Sequence, residues 1–327
     1  MTPRYCLPLI TLGLATLAPL PEALAADLTP GLSGNVALYT GVSRFESNLN
    51  TEGANTLAGL DGPTERESEA LVVPIWDLSY GFANRHQLVS KVHKDGILNK
   101  PYLTLGYRYH LTGGTVIGGG IIPGLIPDET WADPYRPGAR RSTSDVDSSG
   151  AYLTLDNLFS PGLKALVAYG QQDIDQERSG QDQSLAIQQQ LERDADVLYG
   201  QLSQELLLSD TLQLTWTLHA RDHQADGDAE AYQGGGGALE LQGVFGRHIL
   251  GLEAGWARYR YDGSHPLFDR KRRDDVASAS LTYGYAAPFN LPDTLAIAQL
   301  GWDDNDANLD FFDEQAVGAA VGLRWSF

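Results

Sequence analysis

Cysteine occurs once in 327 residues, at Cys6. A disulfide framework and a cysteine metal site are therefore excluded. Basic residues are few: 23 Lys and Arg stand against 42 Asp and Glu, a net charge of −19. Nucleic acid is excluded as a partner on that ground, because binding phosphates needs a basic footprint. Seven histidines make neither an HExxH pair nor a carboxylate-linked set, so no metal and no cofactor are expected. Apolar runs long enough for a membrane helix, about 20 residues, are missing beyond the N-terminal segment. Strands evade that last test, since a membrane barrel shows lipid only every second residue.

The first residues read as a leader. Arg4 precedes the apolar run LPLITLGLATLAPL, and PEALAAD offers an A-x-A site at Ala23 and Ala25. The run is too short to span a bilayer and carries Pro8, Pro19 and Pro21 at its edges. Residues 1–26 are expected to be a cleaved signal peptide and 27–327 the mature domain. Cys6 leaves with the leader, and so do Arg4 and Glu22, so the mature net charge stays at −19.

Beyond residue 30 the dominant signal is a period of two. In VGLRWSF, Val321, Leu323, Trp325 and Phe327 share one face while Gly322, Arg324 and Ser326 share the other. TLQLTWTLHAR sets Leu212, Leu214, Trp216, Leu218 and Ala220 against Gln213, Thr215, Thr217, His219 and Arg221. The same alternation runs through PYLTLGYRYHL, VVPIWDLSYGF, LKALVAYG, HILGLEAGW and VASASLTYGY. One face is apolar and the other small and hydrophilic, as a barrel between lipid and a wet lumen requires.

Connections alternate too. Short turns (ANRH, LTGG, SPG, LLSD, FGR) interleave with long polar segments at 45–70, 124–148, 173–194, 222–231, 262–275 and 303–315. Short turns on one rim and long loops on the other describe an all-β transmembrane antiparallel barrel with periplasmic turns and extracellular loops. About 14 strands are predicted. Twelve is the alternative, because 86–94, 115–124 and 195–207 are weakly patterned. Trp216, Tyr107, Tyr109, Trp325 and Phe327 fall on the apolar faces, as an interfacial aromatic girdle would.

An alternating apolar strand closed by Phe327 resembles the C-terminal signature of Gram-negative outer-membrane proteins, which implies recognition by the barrel insertion machinery. The stretches PDETWADPYRPGARRSTSDV, SSGAYLTLDNLF, FGRHILGLEAGWARYRYDGSHPLFDRKRRDDVASASLTYGY and NLDFFDEQAVGAAVGLRWSF are similar to the uncharacterised gammaproteobacterial family known as domain of unknown function 2860. That resemblance implies an outer-membrane location and brings no site residues with it.

The barrel reading sorts the candidates. Arg108, His110, Asp156, His219, Arg221, Glu253 and Arg324 fall on the inward parity and are expected to line a pore for small hydrophilic solutes, with mixed charge creating a transverse field. The third long connection carries Asp128, Glu129, Trp131, Asp133, Arg140 and Arg141, and by analogy with general porins is expected to fold inward as a constriction. Arg258 and Arg260 continue the lipid-facing parity beyond Trp256, and Arg272 and Arg273 follow. These four are candidates for lipopolysaccharide phosphates, guanidinium forks being suited to them. DDNDANLDFFDE has EF-hand-like oxygens at Asp304, Asp306, Asn308 and Asp310, but Leu309 stands where Gly is required and Gln315 where the closing Glu belongs. Glycines 118–120 and 234–237 lack the Lys-Ser/Thr of a phosphate loop and are read as sites of bending or close approach. Two other functions remain open: a structural or adhesion barrel with a closed lumen, and an embedded hydrolase. The second would need Ser and His facing lipid, whereas the clearest histidines face inward; no enzyme is expected.

Overall fold

A computed structural model describes residues 30–61, 66–93, 101–126 and 128–327. The leader expected over 1–26 lies outside the described residues. In chain order the strands are β1 (Gly31–Glu46), β2 (Arg66–Gly81), β3 (His86–His93), β4 (Tyr102–His110), β5 (Val116–Ile122), β6 (Glu129–Trp131), β7 (Thr143–Asp156) and β8 (Leu163–Ile174). They continue with β9 (Ala195–Ser209), β10 (Leu212–Ala225), β11 (Tyr232–Phe245), β12 (His248–His265), β13 (Arg270–Ala286), β14 (Thr294–Ala307) and β15 (Glu314–Ser326).

Fourteen of these strands pair antiparallel with their neighbours in a closed ring. The ring is completed where β1 meets β15 and where β5 meets β7, from Val116 opposite Asp156 to Ile122 opposite Gly150. The remaining strand, β6, pairs only with the outer end of β7 and belongs to a loop. Closure gives every strand of the ring a partner on both sides, as β structure that crosses a bilayer needs, although β2 meets β3 only over Asp77–Gly81 among the described residues. At the β1–β15 seam Gly34 and Phe327 exchange both backbone hydrogen bonds, 2.9 and 3.0 Å.

The period of two sets the two faces. On β1, Leu38 and Val42 point outward, while Tyr39 and Ser43 are buried inward. On β15, Val317, Val321, Leu323 and Trp325 point out and Ala316 and Ala320 in. More than forty large apolar side chains are exposed on the protein's own surface. Leaving a Leu or Phe in water costs about 1.5–3 kcal/mol relative to burial, so acyl chains must cover this belt. Tyr80, Phe82, Tyr107, Tyr109, Phe245, Tyr283, Trp325 and Phe327 ring the belt near the short-turn rim, with Tyr169, Trp256 and Trp302 toward the other. This is a transmembrane antiparallel β-barrel of 14 strands.

The twelve-strand alternative falls, because β3, β5 and β9 occupy the three weakly patterned segments. Several loops are also shorter than the polar composition suggested. β12 runs to His265 and β13 begins at Arg270, leaving 266–269 between them, and β14 continues to Ala307. Polar residues here alternate across a hairpin standing above the bilayer, so composition alone mistook paired strand for loop.

Candidate channel lumen and its outer cap

Inward parity collects the ionised side chains along the wall. Arg108 on β4 reaches across β5 to Asp156 on β7, Nη2 to Oδ2 3.1 Å. It can do so because Gly118 stands between them: a Cβ there would press on Thr154 Oγ1 and lie 3.2 Å from Arg108 Cγ. His110 Nε2 lies 3.3 Å from Gln87 Oε1. Lys164 pairs with Glu205 at 2.5 Å and Lys91 with Asp77 at 3.2 Å. Glu253 on β12 stands directly opposite Glu240 on β11. Arg324 lies in register with Ala37, next to the inward Tyr39.

His219 and Arg221 join an aromatic pavement on β9–β12. The His219 ring stacks on Tyr199, centroids 6.0 Å apart, and its Nε2 is 3.3 Å from the Tyr259 hydroxyl. The Arg221 guanidinium sits 5.8 Å over the Tyr199 ring and donates to the Tyr232 hydroxyl at 3.4 Å, while His223 stacks on Tyr232 at 4.5 Å. All seven residues expected to line a pore therefore carry their side chains on the inward parity.

Above the wall, the outer loops form a core of their own. Leu57 comes from the loop after β1, Tyr135 from that before β7, Leu191 from that before β9 and Ala229 from that before β11. Leu309, Phe311 and Phe312 come from the loop before β15, with Leu267 and Phe268 packed against them from the β12–β13 loop. Phe311 and Phe312 are each 1% exposed and Leu191 is fully buried. Tyr135 is central: its ring lies 5.6 Å from Phe311, 6.3 Å from Phe312 and 5.0 Å from His265. The loops bearing Tyr135 and Phe311 rise from nearly opposite sides of the ring. A 14-stranded barrel is roughly 25–30 Å across, so between them the two loops reach across the mouth.

Polar contacts stitch the cap. The Tyr135 hydroxyl donates to Glu230 Oε1 at 2.5 Å. Burial pushes the Glu230 carboxyl above its ordinary range, and burial together with that neighbouring carboxylate raises the Tyr135 phenol. Asp133 accepts the backbone N–H of Tyr135 at 2.9 Å and those of Gly180 and Gln181 at 3.1 Å each. Arg141 donates to the carbonyls of Asn48 at 2.7 Å, Ala54 at 2.6 Å and Pro134 at 3.4 Å, with its guanidinium 4.0 Å over Trp131. Burial lowers Arg141 to about 10, so it keeps its charge at neutral pH. Arg193 ties Trp131 O at 2.7 Å to Glu177 at 2.8 Å.

The expected constriction segment is thus part of the cap. Trp131, Asp133 and Arg141 are buried among the outer loops, Asp128 and Glu129 are half-buried, and exposed Arg140 bridges its backbone to Thr56 of the first loop. Of the four arginines expected on the outer face, Arg258, Arg260 and Arg273 point outward. Arg272 does not. β13 keeps its alternation through this stretch and turns Arg272 inward, where it pairs with Asp274 at 2.6 Å and lies 3.8 Å over the Phe312 ring. It belongs to the underside of the cap, so its assignment to lipopolysaccharide is corrected.

Sequence reasoning missed Glu230, His265, Leu191, Arg193, Phe311 and Phe312 as cap residues. A usable signal was present: an apolar Leu309, Phe311 and Phe312 inside an otherwise acidic loop has no reason to be there unless something covers it.

The family model described as "Protein of unknown function (DUF2860)" matches residues 31–326. The chain belongs to the DUF2860 family. The match spans the whole barrel of this DUF2860 protein, both seam strands and the cap loops included. No curated protein matches it by sequence. Among solved structures it is similar to the CymD monoaromatic hydrocarbon channel, at 9% identity and a TM-score of 0.48, covering 92% of this chain and 89% of that one. It is similar as well to OmpT, an outer membrane protein of Vibrio cholerae, at 9% identity, TM-score 0.44 and coverage of 92% and 100%. An anion-selective porin from Comamonas acidovorans matches at 14% identity and TM-score 0.42, with 92% and 100% covered.

Proposed function

We propose that this DUF2860 barrel is a porin-like outer-membrane channel for passive diffusion of small hydrophilic solutes, restricted at its outer mouth by the packed loops. One observation carries the reading: a ring of 14 strands, wider than the eight whose side chains just fill a barrel, turns ionised pairs such as Arg108–Asp156 and Lys164–Glu205 toward its interior. A purely structural barrel has no need of that lining. Opposed charges on the wall favour passage of hydrated solutes over retention at one deep site. Conductance of the refolded full-length barrel in planar bilayers tests it, paired with liposome swelling in sugars, amino acids and organic acids. Discrete openings that enlarge when Tyr135 is changed to Ala would support it.

A second reading is favoured by the meeting of Tyr135 with Phe311 across the mouth. In it the lumen stays closed and the outer surface of the cap serves adhesion. Bilayers that remain silent for the wild type and for Tyr135→Ala alike would select that reading. Neither requires a cofactor or a catalytic residue.

A further inference from the structure

Outside the barrel, away from the lumen and cap, β10–β13 carry an apolar trough that leads into a cluster of cations. On β12 the consecutive outward positions are Ala254, Trp256, Arg258 and Arg260, a rise of about 20 Å toward the outer rim. Beside them in register on β11 stand Leu239, Gly237, Gly235 and Gln233. Gly237 and Ala254 leave a hollow of about 520 Å³, walled by Trp216 and Leu218 on one side and Trp256 on the other, and Gly235 follows beside Arg258. Leu218 leans over it: a Cβ on Gly237 would come within 2.9 Å of Leu218 Cδ2.

At the outer end of the trough Arg260 faces Arg273 directly across the β12–β13 ladder. Like charges directly opposite on one face destabilise a sheet. The neighbouring carboxylates do not resolve this. Asp275 takes Arg258 at 2.5 Å and reaches Arg273 only at 3.8 Å. Asp306 is one strand further, in register with Asp275. Asp262 is exposed and accepts Lys271 Nζ through its backbone carbonyl, at 2.5 Å. Arg260 makes no ion pair among the described residues. Arg258 also lies 5.3 Å over the Trp256 ring, joining the apolar wall to the cationic head of the trough.

We propose that this face is a docking site for lipopolysaccharide, its lipid A phosphates held between Arg260 and Arg273 with Arg258 beside them, and one acyl chain lying along Gly235, Gly237 and Ala254. Paired guanidinium forks on adjacent strands suit a head group bearing several phosphate oxygens, and lipid A joins such a head to acyl tails in one molecule. The trough also accounts for the glycine run at 234–237, whose outward members are Gly235 and Gly237. This inference rests on the outer wall alone and is independent of whether the lumen conducts.

The test is binding of purified lipopolysaccharide to the refolded full-length barrel in detergent, read by native mass spectrometry. Arg260→Ala with Arg273→Ala, and separately Gly237→Leu, are each expected to weaken binding about tenfold or more. Folding is checked by heat-modifiable migration. Wild-type protein should lose a similar factor with lipopolysaccharide stripped of its lipid A phosphates, a comparison that needs no variant. The proposal is overturned if the stripped lipid binds equally, if both variants bind as the wild type does, or if phosphatidylglycerol or inorganic phosphate competes at equal concentration. It is likewise overturned if Gly237→Leu dissociates an oligomer while lipopolysaccharide binding is unchanged, since the trough then seats a second copy of the chain.

Discussion

The wall and the cap are built on opposite plans. In the wall, the large apolar side chains mostly face outward to acyl chains and the charged ones inward, beside one inward apolar cluster of Tyr39, Ile249, Leu295 and Ile297, and the backbone ladder closes on itself. In the cap, Phe311, Phe312, Tyr135 and Leu191 face one another while Arg140 and other polar groups face the medium, as in a water-soluble domain. One chain therefore answers to two solvents. Hydrophobic collapse drives only the outer part, and the two should come apart under different stresses.

The largest effect that would expose this division comes from removing the cap's aromatic core. Changing Phe311 and Phe312 to Ala should cost about 3–5 kcal/mol for each ring, all of it local. Loops of the refolded protein should become open to protease while the barrel keeps its heat resistance in detergent. A barrel that melted together with its loops would break the comparison.

Arg141→Ala comes next. It withdraws three donated hydrogen bonds and strands the carbonyls of Asn48, Ala54 and Pro134, a loss of about 2–4 kcal/mol. Hydrogen exchange of the first outer loop should accelerate by about 30-fold to 1,000-fold, with the strands unchanged.

Acidity acts more gently. The Glu230 carboxyl is raised by burial, so the packed cap binds a proton more tightly than the opened loops do. Its stabilising contribution is full below the ordinary Glu range and is lost as pH rises through the raised value. Buried His265, lowered to about 3, acts with the opposite sign, so the Glu230 contribution is read as the difference between wild type and Glu230→Gln. The variant's loss of loop protection relative to wild type should be greater at pH 4 than at pH 8. A difference between the two proteins that did not shrink as pH rises would contradict the role given to Glu230.

The smallest effect on stability belongs to the wall. Arg108→Ala breaks a partly exposed pair with Asp156, worth less than about 1 kcal/mol. It should nevertheless move the reversal potential under a salt gradient toward cation preference, because Asp156 then stands without its countercharge.

Legibility in the sequence follows the same division. Wall residues obey a strict period, so Arg324, His219 and Glu253 could be placed inward from spelling alone. Where small or mixed residues blur the alternation, as in Val116–Ile122 with its three glycines, the strand was only weakly visible. Cap residues keep no period. Leu57, Tyr135, Leu191 and Phe311 come together through closures far apart in the chain, and nothing local marks them as partners. Arg272 fell between the two regimes. It lies in a charged stretch that reads as loop, yet the strand continues through it and one step of alternation separates it from outward Arg273.

Strand lengths around the ring are unequal: β12 and β13 have 18 and 17 residues, whereas β4 and β5 have 9 and 7. Tilted at about 45°, seven residues rise only about 16 Å, short of the roughly 25 Å apolar band of such proteins. Lipids beside β5 must then shorten or splay to meet this low flank, while those beside β12 can stand at full height. The molecule would sit in a membrane that is locally pinched on one side, and that dimple would orient it relative to its neighbours before any two proteins touch.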